Sequence, residues 1–320
     1  MISYAQNFED VMLNRVFRNQ TEGFYVDVGA ADPTIESVTK HFYDKGWSGI
    51  NIEPNEFFYS KLLTERPRDI NLNLAIGESA SARMLQVFER YGNSTFDPEV
   101  RDNFAARGFE WSEKTVRVTT LGAVCRDYVR REIDFLKIDC EGWEKNAIEG
   151  ADWDRFRPKV LVVEATKPNS PEPSYSAWEP ILLENGKYEM VYFDGLNRFY
   201  LRREYLDLQV HFQVPPNVFD GFELSPESGF VKRHLEEVRN SLNHRIELLK
   251  TELSAANQKH EQQINQLNAA LAQSETESNQ MRDAKKACDD ARAAEQADLA
   301  RARLWIGQLS QNLAILESTR

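Results

Sequence analysis

Cysteine is scarce. The chain holds three in 320 residues, Cys125, Cys140 and Cys288, too few and too scattered for a disulfide framework or a thiolate metal site. Cations are outnumbered, 39 Lys and Arg against 51 Asp and Glu, and a net charge of -12 argues against nucleic acid as a partner. Affinity for that polymer comes mainly from Lys and Arg on its phosphates. No apolar run approaches the roughly 20 residues of a membrane span. The opening MISYAQNFEDVML has neither the basic start nor the apolar core of a secretory leader, so the expectation is a cytoplasmic protein, at most peripheral at the inner membrane. Two phosphate-binding signatures are also missing. Neither Gly-x-x-x-x-Gly-Lys-Ser/Thr nor Gly-x-Gly-x-x-Gly occurs at a strand-to-helix turn.

What stands in their place is FYVDVGAADP, Phe24 to Pro33, an apolar run ending in an acid and small residues. Gly29 allows one close backbone approach, while Asp27 and Asp32 put carboxylates near any ligand. Carboxylates repel phosphate. They suit a ligand with a cationic head and ribose hydroxyls, which describes S-adenosylmethionine better than a phosphorylated cofactor.

Composition changes near Pro226. From Val231 to Arg320 there is no proline and one glycine, Gly307, whereas the earlier residues mix aromatics, Pro and Gly. This predicts two domains, 1–226 and 227–320. In the second, Leu235, Val238, Leu242, Ile246, Leu249, Leu253, Ala256, Ile264, Leu267 and Leu271 recur at separations of mostly three and four. That is a coiled-coil seam. A continuous helix of this length would be a rod of about 130 Å at about 1.5 Å per residue. The seam weakens from Ser274 to Asp298 and returns at Leu299, Ile306, Leu309, Leu313 and Leu316. It predicts a homo-oligomer, with a spacer role beside a membrane or a glycan-assembly enzyme as one use of the rod.

The first domain alternates strand and helix signals. Phe24 to Val28, Ser48 to Glu53, Ile70 to Ile76, Ile133 to Asp139 and Lys159 to Glu164 are short apolar runs separated by helical stretches such as Asn55 to Glu65. Strands apolar throughout predict a mainly parallel sheet covered on both faces, with ligands beyond the strands' carboxyl ends. Tyr188 to Asp194 and Arg198 to Leu201 read as an antiparallel pair at one edge. Asp27, Glu53, Asp139 and Glu164 then fall at strand ends in phase. Glu53, about twenty residues past the loop, is placed to accept both hydroxyls of a ribose.

The ordered segments YAQNFED, FYVDVGAADP, GWSGINIEPN, NLAIG, GNSTF, VTTL, IDFLKIDCEGWE, VLVVEAT and FDGLNRFYL resemble the FkbM family of S-adenosylmethionine-dependent methyltransferases over about residues 3 to 205. The resemblance implies the class I α/β fold, a doubly wound, mostly parallel seven-stranded sheet with an antiparallel edge strand, here followed by the coiled coil. It implies methyl transfer to a hydroxyl of a sugar or polyketide. It also places Asp27, Gly29 and Ala30 along the methionine and ribose, Ala75 and Ile76 at the adenine, and Gln6 and Glu9 in a segment closing over the cofactor. Ala31 stands where the wider class has a second glycine. Some chain-terminating methyltransferases of bacterial surface polysaccharides resemble this plan, which favours a glycan or other small-molecule acceptor.

Methyl transfer to an alcohol requires a base, and Asp139 and Glu141 in DCEGWE are the candidates. The alternative for both is structural, capping the next helix and ordering the loop. A third reading makes Asp139, Glu141 and Glu164 oxygen ligands of Mg²⁺. The aromatic segment Tyr91 to Glu113 and Pro168 to Trp178 read either as an acceptor lid or as loops held by their own rings. A catalytically inactive scaffold built on the same domain is the competing function.

Overall fold

The computed structural model describes the backbone of residues 1–89, 91–273 and 278–318 and the side chains of 1–89, 91–268 and 285–317. The chain divides into two compact units, Met1–Ser228 and Gly229–Arg320.

In the first unit, apolar runs become strands, and the three central ones, Phe24–Val28, Phe135–Ile138 and Val160–Glu164, are buried at every position. These are β1 (Phe24–Val28), β2 (Ser48–Ile52), β3 (Ile70–Leu72), β4 (Phe135–Ile138), β5 (Val160–Glu164), β6 (Tyr188–Phe193) and β7 (Asn197–Arg202). They form one seven-stranded sheet in the order β6-β7-β5-β4-β1-β2-β3. The pairs among β1 to β5 are parallel; β7 runs antiparallel to β5 and to β6. Both faces are covered by helices; numbered in chain order, α3 (Glu56–Glu65) joins β2 to β3 and α4 is Pro98–Ala106. Val26, Val28, Ile50, Ile138 and Val163 pack toward helices α5 (Leu121–Tyr128) and α6 (Glu144–Glu149), through Leu121, Val124 and Ile148. Tyr25, Phe135 and Val162 pack on the other face against Met12 and Leu13 of α1 (Glu9–Val16) and Phe42 of α2 (Lys40–Asp44). Burial on two faces is why the strand sequences show no polar alternation.

The run expected as one strand from Ile70 to Ile76 is broken. Asn73 turns out of it, its amide donating to the carbonyls of Glu53 at 3.0 Å and Pro54 at 3.2 Å. Ala75–Ile76 then joins a separate three-stranded sheet with Ser81–Val87 and Ser112–Thr119, which the sequence reading missed. Their charged, exposed outer halves hide the strand signal: in SARMLQV only the last three residues are buried. Between these two strands the aromatic segment folds as a helix, Pro98–Ala106, whose Phe104 packs on Phe88 and Phe109.

The second unit is a pair of helices, α7 (Gly229–Gln273) and α8 (Ser278–Ser318), packed along each other. Arg245 lies 5.5 Å from the Trp305 ring, and farther along α7 His260 touches Glu295. Partner numbers fall as α7 numbers rise, so the pair is antiparallel. The single rod of about 130 Å is therefore replaced by two antiparallel helices, the longer of which, 45 residues, spans about 70 Å. The physical reason is the seam itself. Ile246 and Leu249 are buried, and Leu242, Leu253, Ala256, Ile264 and Leu267 are half-buried on the same face. Ile306, Leu309, Leu313 and Leu316 form the matching half-buried stripe on α8. Leu271 lies outside the described side chains. No helix among the described residues is long and apolar enough to cross a membrane.

Candidate active site

Strand register decides which residues reach the ligand edge. Val28 pairs with Ile52 and with Ile138, so Gly29, Glu53 and Asp139 leave the sheet together. Gly29 turns with φ of 78°, and the amides of Gly29 and Ala30 donate to the Ile52 carbonyl at 3.0 and 3.2 Å. A Cβ at Gly29 would lie 1.8 Å from the Asp139 carbonyl oxygen. Glycine is required there for conformation and for space. Ala31 also has a positive φ, 47°, and its amide donates to Glu53 Oε2 at 2.8 Å. That bond offsets part of the roughly 1 kcal/mol an alanine loses in this region. The Asn55 amide takes Glu53 Oε1 at 2.7 Å, so loop and acid are locked together. Burial pushes the Glu53 carboxyl up to about 7 against the pull of those two amides.

Two cavities meet at this edge. The first, a narrow one, has Leu74, Ala75, Ile76, Leu85, Phe96 and Trp143 as its apolar wall and Glu53 at one side. The second, wider and more polar, is bordered by Gln6, Glu9, Ala30, Lys137 and Asn93. Gly29, Asp139 and Glu141 line both.

Glu141 occupies the junction in an unusual conformation. Its φ is 51°, and residues from the far loop hold it: Asn93 Nδ2 donates to Oε1 and Thr95 Oγ1 donates to its carbonyl, each at 2.8 Å. Asn93 and Thr95 thus act on Glu141. Burial, reinforced by Asp139 and Glu144, pushes the Glu141 carboxyl up to about 8. A carboxylate so placed takes a proton readily near neutral pH.

One residue expected at the ligand stands elsewhere. Asp27 lines neither cavity. It lies inside β1, one residue short of the end, so its side chain points along the sheet face toward its cross-strand neighbour Lys137. Thr39 donates to Asp27 Oδ2 at 3.1 Å, and Lys137 Nζ is 3.7 Å from Oδ1. Lys137 in turn donates to the Gly29 carbonyl at 3.2 Å and lies 3.3 Å from Asp139 Oδ2. Burial alone would lower this ammonium's pKa; Asp139 and Asp27 outweigh that and hold it charged well above the usual lysine range. Asp27 therefore anchors the cation that orients Asp139. Asp32 does border the second cavity, but its carboxylate serves its own loop, accepting the Thr34 and Ile35 amides at 2.9 Å each and pairing with Lys61.

Gln6 and Glu9 reach the second cavity. Glu9 is buried and pinned, accepting the Asn7 amide at 2.8 Å and Asn197 Nδ2 at 2.7 Å. Burial first, then Asp194, pushes its carboxyl up to about 8.

The expected acid triad changes one member. Asp139 and Glu164 converge, but with Glu144 instead of Glu141. The positive φ values of Glu141 and Gly142, 51° and 92°, turn the chain back so that Glu144 comes under the loop, accepting the Cys140 and Gly142 amides at 2.9 and 3.2 Å. Glu141 looks outward to the cavities.

A family model described as the methyltransferase FkbM domain matches residues 27–190, just over half of the chain. The chain belongs to the FkbM methyltransferase family. A search of curated proteins returns no match to it. The FkbM match takes in Gly29, Glu53, the Asp139 loop and Glu164 and leaves out Gln6, Glu9 and Asn197. Within it lie three residues that sequence reasoning passed over: Lys137, Trp143 and Glu144. Lys137 did carry a signal, a lone cation inside the buried run FLKI. Glu144 carried none beyond its place near a strand end.

Proposed function

We propose that this FkbM protein transfers a methyl group from S-adenosylmethionine to a hydroxyl of a sugar or glycan. The observation that carries the reading is the junction: Asp139 and Glu141 stand where an apolar cavity with Glu53 on its side opens into a wide polar one. The sheet order, with its one antiparallel strand inserted beside β5, supports the class I methyltransferase architecture.

The residues fit the cofactor. Glu53 has a lone pair left on each oxygen for a ribose diol beyond the two amides it already accepts. Trp143 Nε1 is buried without a hydrogen-bond partner and belongs to a residue of the apolar wall beside Ala75 and Ile76, where an adenine nitrogen would satisfy it. Bound there, the cofactor supplies an electrophilic methyl group on a sulfonium. The acid-rich edge, Glu53, Asp139 and Glu141, favours that cation and disfavours a pyrophosphate. Glu141 accepts the acceptor hydroxyl's proton as the new bond forms, Asn93 fixes its carboxylate, and Lys137 fixes Asp139 beside it. Gln6 and Glu9 border the acceptor side.

A transfer assay with labelled cofactor against cell-surface glycans and nucleotide sugars tests this. Label recovered as a methyl ether on a sugar is the expected result. Binding of the cofactor with label in no acceptor would favour the inactive scaffold, and label on nitrogen would overturn hydroxyl transfer.

For the helical unit, association of copies is the reading that remains once α7 and α8 have covered each other's seam. Leu304, 72 % exposed on α8, is the apolar contact it would use. Sedimentation of the full chain should show an oligomer that Leu304→Glu dissociates. A monomeric parent protein would end this reading.

A further inference from the structure

Three acids from separate elements meet beside the cavities. Asp139 follows β4, Glu144 opens α6 and Glu164 ends β5. One carboxylate oxygen from each lies within 4.8 Å of the other two. Glu144 and Glu164 are buried and Asp139 is half-buried, so the cluster is not a solvated acidic surface.

Hydrogen bonding accounts for part of this charge. Glu144 Oε1 accepts the Cys140 and Gly142 amides. Asp139 Oδ2 shares Lys137 with Asp27. Glu164 is different: the residue is 7 % exposed, and its Oε2 is buried with no hydrogen-bond partner. A buried carboxylate oxygen among other carboxylates is costly until a positive charge meets it. The spacing suits an ion. Two oxygens bound to one cation at about 2.1 to 2.4 Å sit at most about 4.2 to 4.8 Å apart. Donors that are all oxygen select a hard cation over zinc or copper.

We propose that Asp139, Glu144 and Glu164 form a binding site for one hard divalent cation of the Mg²⁺ class, completed by water. Asp139 lines both cavities, so the ion would lie at their wall, within reach of an acceptor's hydroxyls. A cation there binds a hydroxyl oxygen and makes its proton easier to remove. Only this last role rests on the methyl-transfer reading; the site itself does not.

The test reads metal binding alone. The full chain is stripped with chelator, titrated with Mn²⁺ while the free-ion paramagnetic signal is followed, and then competed with Mg²⁺ and Ca²⁺. One saturable Mn²⁺ per chain is expected, displaced by Mg²⁺. Removing a group that only orients a metal's ligands weakens such sites by about 10- to 100-fold, so losing a ligand itself, in Glu164→Gln or Asp139→Asn, should weaken binding at least tenfold. Glu164→Gln removes a negative charge from the cluster, so without metal it should melt at the same temperature as the parent or higher. A parent protein without saturable binding overturns the proposal. So do variants that bind Mn²⁺ as tightly as the parent, which would mean an adventitious ion only. Cofactor binding that survives without a metal site leaves the methyl-transfer reading standing; the reverse result would remove that reading and keep the ion.

Discussion

In Glu141→Gln and Asp139→Asn proteins, turnover should fall by about 10²-fold or more while S-adenosylmethionine still binds near the parent affinity. A positioned general base contributes on the order of 10² to 10⁴, and an amide cannot take the acceptor's proton. Glu141→Gln is a clean substitution, because a glutamine oxygen can still accept from Asn93 Nδ2, now 2.8 Å from Oε1. The loop and its positive φ should therefore survive. Asp139→Asn is less neutral, since it leaves Lys137 with Asp27 as its remaining carboxylate at 3.7 Å. A drop in both variants, with calorimetric cofactor affinity retained, assigns the pair to the chemical step. Full turnover in both removes it from the mechanism.

Gly29→Ala should be the most disruptive small substitution in the loop. The new Cβ would stand 1.8 Å from the Asp139 carbonyl oxygen, a backbone atom, and the residue keeps φ of 78°. Overpacking costs about 1 to 3 kcal/mol and the left-handed conformation about 1 to 2 more. A loss of about 2 to 5 kcal/mol corresponds to roughly 4 to 20 °C in a unit of this size. Gly46→Ala is the internal control. Gly46 has φ of 102° but nothing within 4 Å of a built Cβ, so it incurs the conformational cost alone. Thermal melts of the two variants should separate clearly. Equal melting temperatures would mean that β1 and β4 do not approach as closely at their ends as described.

The parallel sheet and its ligand edge were legible because strands buried on both faces are written as unbroken apolar runs, and Glu53 and Asp139 each follow one. Position within a strand was not so easily read. In FYVDV, Asp27 also reads as the close of a run, yet Val28 is the last paired residue, and that single step turns Asp27 onto the sheet face toward Lys137. Choosing Glu141 over Glu144 as a partner of Glu164 failed because backbone handedness at Glu141 and Gly142 sets which acid turns inward, and no spacing rule encodes it. In the helical unit the apolar stripe was visible in the sequence, while what covers it was not. A stripe at Leu242, Ile246 and Leu249 asks to be covered, but the sequence does not say whether by another chain or by α8. The weakening of the seam from Ser274, just past the end of α7 at Gln273, was the available hint.

Calorimetric titration of S-adenosylmethionine into the full chain, the parent and Glu53→Ala, is the most direct test of the central claim. Charge-assisted hydrogen bonds to a ribose diol are worth about 1.5 to 3 kcal/mol, so the variant should bind about 10- to 100-fold more weakly while remaining folded. The pH adds a second mark. Burial raises the Glu53 carboxyl to about 7, and the diol is best met by the ionised form, so binding should tighten as pH rises through 7 and lose this dependence in Glu53→Ala. One saturable site for S-adenosylmethionine, with no comparable affinity for a nicotinamide dinucleotide, is the predicted result. Absence of that site, tighter binding of the dinucleotide, or equal affinity in Glu53→Ala would contradict it.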